Sequence, residues 1–175
     1  MRAGALLTVI LLLAACTGAS NPPTDSPTAS PPLEPMRLLA SDLAAIGQPH
    51  PFSVAAATNE AEYDSLWQRF GLGSPPPPVV FDRELAIYLG MAGSSSCPEV
   101  FQTLVVDESI PSVHAVWQPH PQNQACTDDL QPQGVLLAVA RSELPDQPFV
   151  LKLRAQPICA TCPDHPDQQL IDPSR

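Results

Sequence analysis

From Pro75 onward the chain is written as short apolar runs separated by turn residues, and that spacing admits few folds. "ELAIYLGM" (84–91) puts Leu85, Ile87, Leu89 and Met91 on one face at a period of two, the signature of a strand. "FQTLVVD" (101–107), "SVHAVWQ" (112–118), "GVLLAVAR" (134–141) and "FVLKLR" (149–154) repeat the theme, and the separators carry Gly, Ser, Pro, Asp and Asn. In "SVHAVWQ" the alternation turns Val113, Ala115 and Trp117 inward and His114 and Gln118 to the other side. "FSVAAAT" (52–58) reads as a further strand ahead of them.

Only one segment has a clear helical period. Tyr63, Leu66, Trp67 and Phe70 fall at i, i+3, i+4 and i+7. Asn59 can cap this helix, Glu62 stands three residues further on as in a capping box, and Gly71 and Gly73 stop it. "MRLLASD" (36–42) suits either a strand or a helix running through Ile46, and Gly47 to Pro51 breaks the chain in both cases. Pro75 to Pro78 is a stiff connector. One helix followed by strands spaced about 10–20 residues apart predicts an α+β fold, mainly antiparallel β. The expectation is a sheet or sandwich of about six to seven strands with one packed helix.

The N-terminus sets the location. Arg2 forms a short positive region, and Ala5 to Ala15 is uncharged and apolar but shorter than the ~20 residues that span a bilayer. Residues 1–15 therefore read as a signal peptide. Leu13-Ala14-Ala15-Cys16 matches the bacterial lipobox, in which small residues precede a cysteine that is lipidated and becomes residue one. Resemblance to bacterial lipoproteins implies a diacylglycerol thioether on Cys16. More than one acyl chain makes such an attachment stable. The expected location is thus the cell membrane or envelope, extracytoplasmic and lipid-anchored. Residues 16–35 hold the lipidated Cys and a linker in which Pro22, Pro23, Pro27, Pro31, Pro32 and Pro35 interleave with Ser, Thr and Ala. Such a segment has nothing to bury, and extended it spans up to ~60 Å.

Charge removes one class of partner. Net charge is −10, and Lys152 is the only lysine. Nucleic-acid binding needs a basic patch, and none is present.

The five cysteines are Cys16, Cys97, Cys126, Cys159 and Cys162. Lipidation uses Cys16 and leaves an even set outside the reducing cytosol, as a disulfide framework requires. Three connectivities are possible, and local spacing favours Cys97–Cys126 with Cys159–Cys162. The first closes a long loop, worth about 3–4 kcal/mol in the chain-entropy model. The second closes a very short one and gains little. Cys159, Cys162 and His165 also have the C-x2-C-x2-H spacing of zinc ligands, with Asp164, Asp167 or a distant His as a fourth. A second knuckle is missing, so a disulfide is the expectation, no cofactor is required, and zinc is the alternative. A thioredoxin-type site needs a helix after the motif, and Pro157, Pro163 and Pro166 forbid one.

"SVAAATNEAEYDSLWQRF", a Pro-rich gap and "VVFDRELAIYLGMAG" together resemble the C-terminal domain of the PrcB protease-complex subunit family, found in secreted and lipid-anchored bacterial proteins. Leu66-Trp67, Phe81-Asp82 and Gly90 carry the resemblance, over roughly residues 36 to 154. The family's Gly-Gly-aromatic turn is replaced here by Gly93-Ser94-Ser95-Ser96-Cys97-Pro98. The chain is also similar to uncharacterised envelope proteins that pair "SSSCP" (94–98) with "CTDDL" (126–130), which supports a Cys97–Cys126 disulfide. The resemblance implies a protein-interaction role at the envelope, including that of a protease inhibitor or protease-complex partner.

Templates for catalysis are missing: there is no Gly-x-Ser-x-Gly elbow, His-Glu-x-x-His or P-loop. Ser94 to Ser96 with His114 or His120, and Asp128-Asp129 as a weak cation site, are pairings that a chain with four His and many Ser offers anyway. The sequence leads to a lipid-anchored, non-enzymatic binding module with a possible envelope protein partner, built as a β-rich domain over 36–156 and a tail over 157–175. The alternative is a metal-binding or thiol-redox accessory lipoprotein.

Overall fold

A strand buried on both faces organises the fold. The computed structural model describes residues 34–41, 52–69, 75–121, 123–158 and 166–174. In it β3 (Glu84–Gly93) and β6 (Gln131–Ala140) pair antiparallel along their full ten residues. They form the centre of a four-stranded sheet with β1 (Met36–Ala40) outside β6 and β2 (Ser53–Ala57) outside β3. A second four-stranded sheet has the order β4-β5-β7-β8, from β4 (Val100–Asp107), β5 (Ser112–Gln118), β7 (Phe149–Lys152) and β8 (Gln168–Ile171). Every pairing is antiparallel except β5 with β7, which is parallel. The single α-helix among the described residues is α1 (Glu60–Gln68). The architecture is therefore α+β and mainly antiparallel, with helix, sheet and sheet in three layers.

The register of β3 on β6 decides what lies between which layers. Leu85, Ile87 and Leu89 stand opposite Val139, Leu137 and Val135, and this row packs against Val113, Phe149 and Leu151 of the second sheet. Ala86 and Tyr88 stand opposite Ala138 and Leu136 on the other face, where Tyr88 and Leu136 meet Tyr63, Leu66 and Trp67 of α1. A slip of one residue would exchange the two sets, so burial on both sides fixes the pairing. Period two revealed only one of these faces, because Ala86 and Tyr88 gave the other no strong apolar signal.

The helix starts as the sequence predicts. Asn59 Oδ1 accepts the Glu62 N–H at 3.0 Å, while the Glu62 carboxylate reaches back to the Thr58 N–H and hydroxyl at 2.8 and 2.9 Å. Tyr63 makes edge contacts with Trp67 and Phe81, and its hydroxyl donates to the Pro77 carbonyl at 3.0 Å. The proline connector is thus held against the helix, and burial pushes the Tyr63 phenol up to about 12. Phe70, Gly71 and Gly73 lie outside the described residues.

One open choice is resolved and one boundary moves. Residues 36–40 are strand, not helix, because pairing with β6 satisfies their backbone. The expected tail after 156 contributes β8, which adds an eighth strand and extends the folded domain to Ile171. Gln168-Gln169-Leu170-Ile171 is too short and polar to show a period. It forms because Phe149–Lys152 offers a free edge and Ile171 fills the core.

Glu84 begins β3 with its side chain 1% exposed. Its carboxylate is gripped by Arg37 of β1 in a two-pronged pair, Nε to Oε1 and Nη2 to Oε2, both at 3.2 Å. The Val80 N–H adds a third bond at 2.8 Å. Arg37 reaches Glu84 past β6, whose residues opposite these two are Ala138 and Ala140. Burial opposes ionisation of Glu84, but Arg37 and the Val80 N–H outweigh it and hold the carboxyl below its ordinary value.

Removing one partner of such a pair strands a buried charge. Arg37→Met is expected to destabilise the fold by about 3 kcal/mol in urea unfolding, with much of the loss recovered in Arg37→Met/Glu84→Met. Because the folded carboxyl titrates low, its contribution is complete above the unfolded value of about 4.3 and disappears as pH falls through the depressed folded value. Wild type should therefore lose stability on acidification more steeply than the double variant.

Candidate functional site

Two connections cross between the sheets at one end of the sandwich. The loop after β3 enters β4, and the loop after β5 enters β6. Gly93 pairs with Gln131 and Val100 with Gln118, so all four strand ends meet there. Cys97 and Cys126 join these loops by a disulfide, with Cα atoms 5.5 Å apart. Cys97 is buried and Cys126 is exposed.

The serine run lies around this bond. The Ser96 hydroxyl accepts the Thr127 N–H at 2.8 Å. The Ser94 and Thr127 hydroxyls are 2.9 Å apart, and those of Ser96 and Thr127 are 3.1 Å apart. Asp129 accepts the Ser95 N–H at 3.2 Å and the Thr127 hydroxyl. Hydrogen bonding from Ser95 first, and then from Thr127, pulls the Asp129 carboxyl down to about 2. Gln124 donates to the Ser96 carbonyl at 3.3 Å. These side chains lock one loop to the other. A carboxylate that weakly basic is a poor proton acceptor, and the hydroxyls of the run bond within the lock, not to His114 or His120. Asp129 Oδ1 is likewise engaged within the lock, and no group of three or more His, Cys, Asp or Glu side chains that could hold a metal ion occurs among the described residues.

A second feature lies where the free edges of the two sheets meet. The Val54 N–H of β2 donates to the Pro166 carbonyl ahead of β8 at 3.0 Å. At the other end of the two strands the Arg141 guanidinium donates to the carbonyls of Thr58 (3.4 Å), Phe81 (2.9 Å) and Pro173. Between these ties a groove of about 790 Å³ opens beneath α1, lined among others by Thr58, Ser65, Leu66, Arg69, Leu170 and Asp172. The sequence reading missed this groove. Arg141 looked like the polar end of a strand, and its three carbonyl partners come from distant segments.

Cys16, Cys159, Cys162 and His165 lie outside the described residues. Asp167, a candidate fourth zinc ligand, is buried and accepts the Ile158 N–H at 2.9 Å, while its carbonyl accepts the Leu153 N–H. Its carboxylate pins the base of the segment that carries the Cys-x-x-Cys. No helix among the described residues is long and apolar enough to cross a membrane.

Replacing Cys97 and Cys126 together by Ser is expected to cost about 3–4 kcal/mol in denaturant unfolding. With alkylation before denaturation and no reductant, intact mass is expected to show Cys159 and Cys162 unmodified and no bound zinc. One zinc per chain would instead establish the thiolate site.

Comparison with known proteins finds no matching family model, no matching curated protein and no matching solved structure.

Proposed function

We propose that the chain is a lipid-anchored extracytoplasmic binding module, non-enzymatic, held to a membrane by Cys16. It recognises a protein or envelope ligand through sheet edges or the loops around Cys97 and Cys126. The disulfide carries this reading. Cys97 and Cys126 are bonded, which suits an oxidising compartment and agrees with the lipobox at Leu13 to Cys16. Two further observations support it. The bond and the hydroxyl lock hold two connecting loops in one shape, as a recognition surface requires. The Ser and Asp residues nearest to a catalytic pattern are engaged with each other. We further propose, from the sequence pattern at Leu66-Trp67 and Phe81-Asp82, that the ligand is a protein.

Cys16→Ser is expected to move the protein from the membrane fraction to the soluble fraction, read by blotting after sedimentation. Affinity capture of the anchored protein from solubilised envelopes should retain a partner that is lost when the Cys97–Cys126 loops are altered. Turnover of peptide, ester or glycan substrates that a single point substitution abolishes would overturn the non-enzymatic reading.

A further inference from the structure

The bond between Cys97 and Cys126 is open to solvent from one side only. Cys97 is 4% exposed, whereas Cys126 stands among the exposed residues Asn123 to Asp128. A thiolate from outside therefore reaches the Cys126 sulfur and is screened from that of Cys97. The bond also lies outside the sheets. The β3–β6 ladder runs to Gly93 and Gln131, and the β4–β5 ladder to Val100 and Gln118, without its help. Between the two loops themselves no ladder runs. Among the described residues every hydrogen bond from one loop to the other uses a side chain: those of Ser94, Ser95, Ser96, Gln124, Thr127 and Asp129. Water competes for such exposed groups, so the covalent bond is what keeps the loops in one shape.

We propose that this bond is a redox switch: an uncharged or cationic dithiol opens it in the folded protein and frees the two loops while both sheets stay intact. The first thiolate attacks Cys126 Sγ. A sulfur–sulfur bond forms there, the bond to Cys97 breaks, and Cys97 leaves as a thiolate that takes up a proton. The second thiol of the reductant then gives up its proton and attacks its partner's sulfur in the mixed disulfide, which releases Cys126 as a thiol. The dithiol ends as a disulfide, and the protein gains two electrons and two protons. Charge selects the reductant. Asp128 and Asp129 follow Cys126 by two and three residues, and the chain carries a net charge of −10. Such a surface holds off an anionic thiol, and salt weakens the discrimination. The switch rests on the anchored-binding reading only for its consequence, control of the recognition loops, since opening itself needs neither lipid nor ligand.

The test treats the full-length chain with dihydrolipoamide, which is neutral, or dihydrolipoate, which carries a carboxylate on the same dithiol. Free thiols are alkylated at intervals, and peptide mapping separates Cys97 and Cys126 from the other cysteines. Both should become alkylated at a rate that stays flat in urea below the unfolding transition, the mark of attack on the folded protein. The neutral dithiol should react about threefold faster at about 0.05 M NaCl, and the gap should close at about 0.5 M. After reduction the far-UV circular dichroism should be unchanged. Amide hydrogen exchange should speed up at 94–97 and 124–130 and stay slow in β3 and β6, and reoxidation should restore the loops. A rate that climbs steeply with urea, or loss of β3 and β6 protection together with the bond, would show a purely structural disulfide and overturn the switch. Loops that stay protected after reduction would overturn it as well. Equal rates for the two dithiols at low salt would overturn the choice of reductant. None of these results bears on whether the loops bind a partner, so the anchored-binding reading stands or falls separately.

Discussion

The pairing of β3 with β6 is the constraint on which the other elements depend. Ten residues of each strand run in one unbroken register, and both faces of the pair are covered. One face receives the second sheet, and the other receives α1 with Val79 and Phe81, which follow the proline connector. A ladder buried on both sides cannot slip without driving Tyr88 into the sheet interface and Ile87 under the helix. Gly90 belongs to the same logic. A Cβ there would collide with the end of the Tyr88 ring, so a bare position lets Tyr88 lie along its own strand.

Several polar groups drawn inside this frame are matched. Glu84 meets Arg37 and the Val80 N–H, Trp117 donates its indole N–H to the Leu153 carbonyl at 3.0 Å, and Asp167 meets Ile158. Arg141 gathers three backbone carbonyls, those of Thr58, Phe81 and Pro173, that lie outside the strand ladders. A guanidinium suits that task because it offers several donors in a fixed plane. The two ends of the sandwich are thus closed by different chemistry: a covalent bond with a hydroxyl lock at one, and a cation on carbonyls at the other.

The elements legible in the sequence are those with a strong local period. Leu85 to Met91 announced β3, and Tyr63, Leu66 and Trp67 announced α1 together with its Asn59 cap. Val113 and Ala115 face inward as alternation demands. The rest depends on partners far away in the chain. β8 has no period to read, and the parallel pairing of β5 with β7 follows from where the connection through Arg141–Glu143 returns the chain. At the candidate site, the Cys97–Cys126 bond was among the readable possibilities because spacing and context both favoured it. The use of Ser94, Ser96, Thr127 and Asp129 as a lock was not, since residues some thirty positions apart meet only in the folded loops.

The placement of β1 bears on how the molecule comes together in time. Met36 sits beside Val139 and Ala40 beside Leu136, so the first strand of the sandwich waits for nearly the last part of its own sheet. The β4–β5 hairpin, closed by a short turn at 108–111, can form as soon as its residues exist. Closing the long excursion from β1 to β6 costs chain entropy before any contact returns it. Domains built this way fold in the ~millisecond to second range, well behind helical bundles. Assembly is then expected to run from the β4–β5 hairpin outward and end when β1 docks. Until that moment the outer edge of β6 stands open, and a chain arrested there has one more sticky strand than the finished protein.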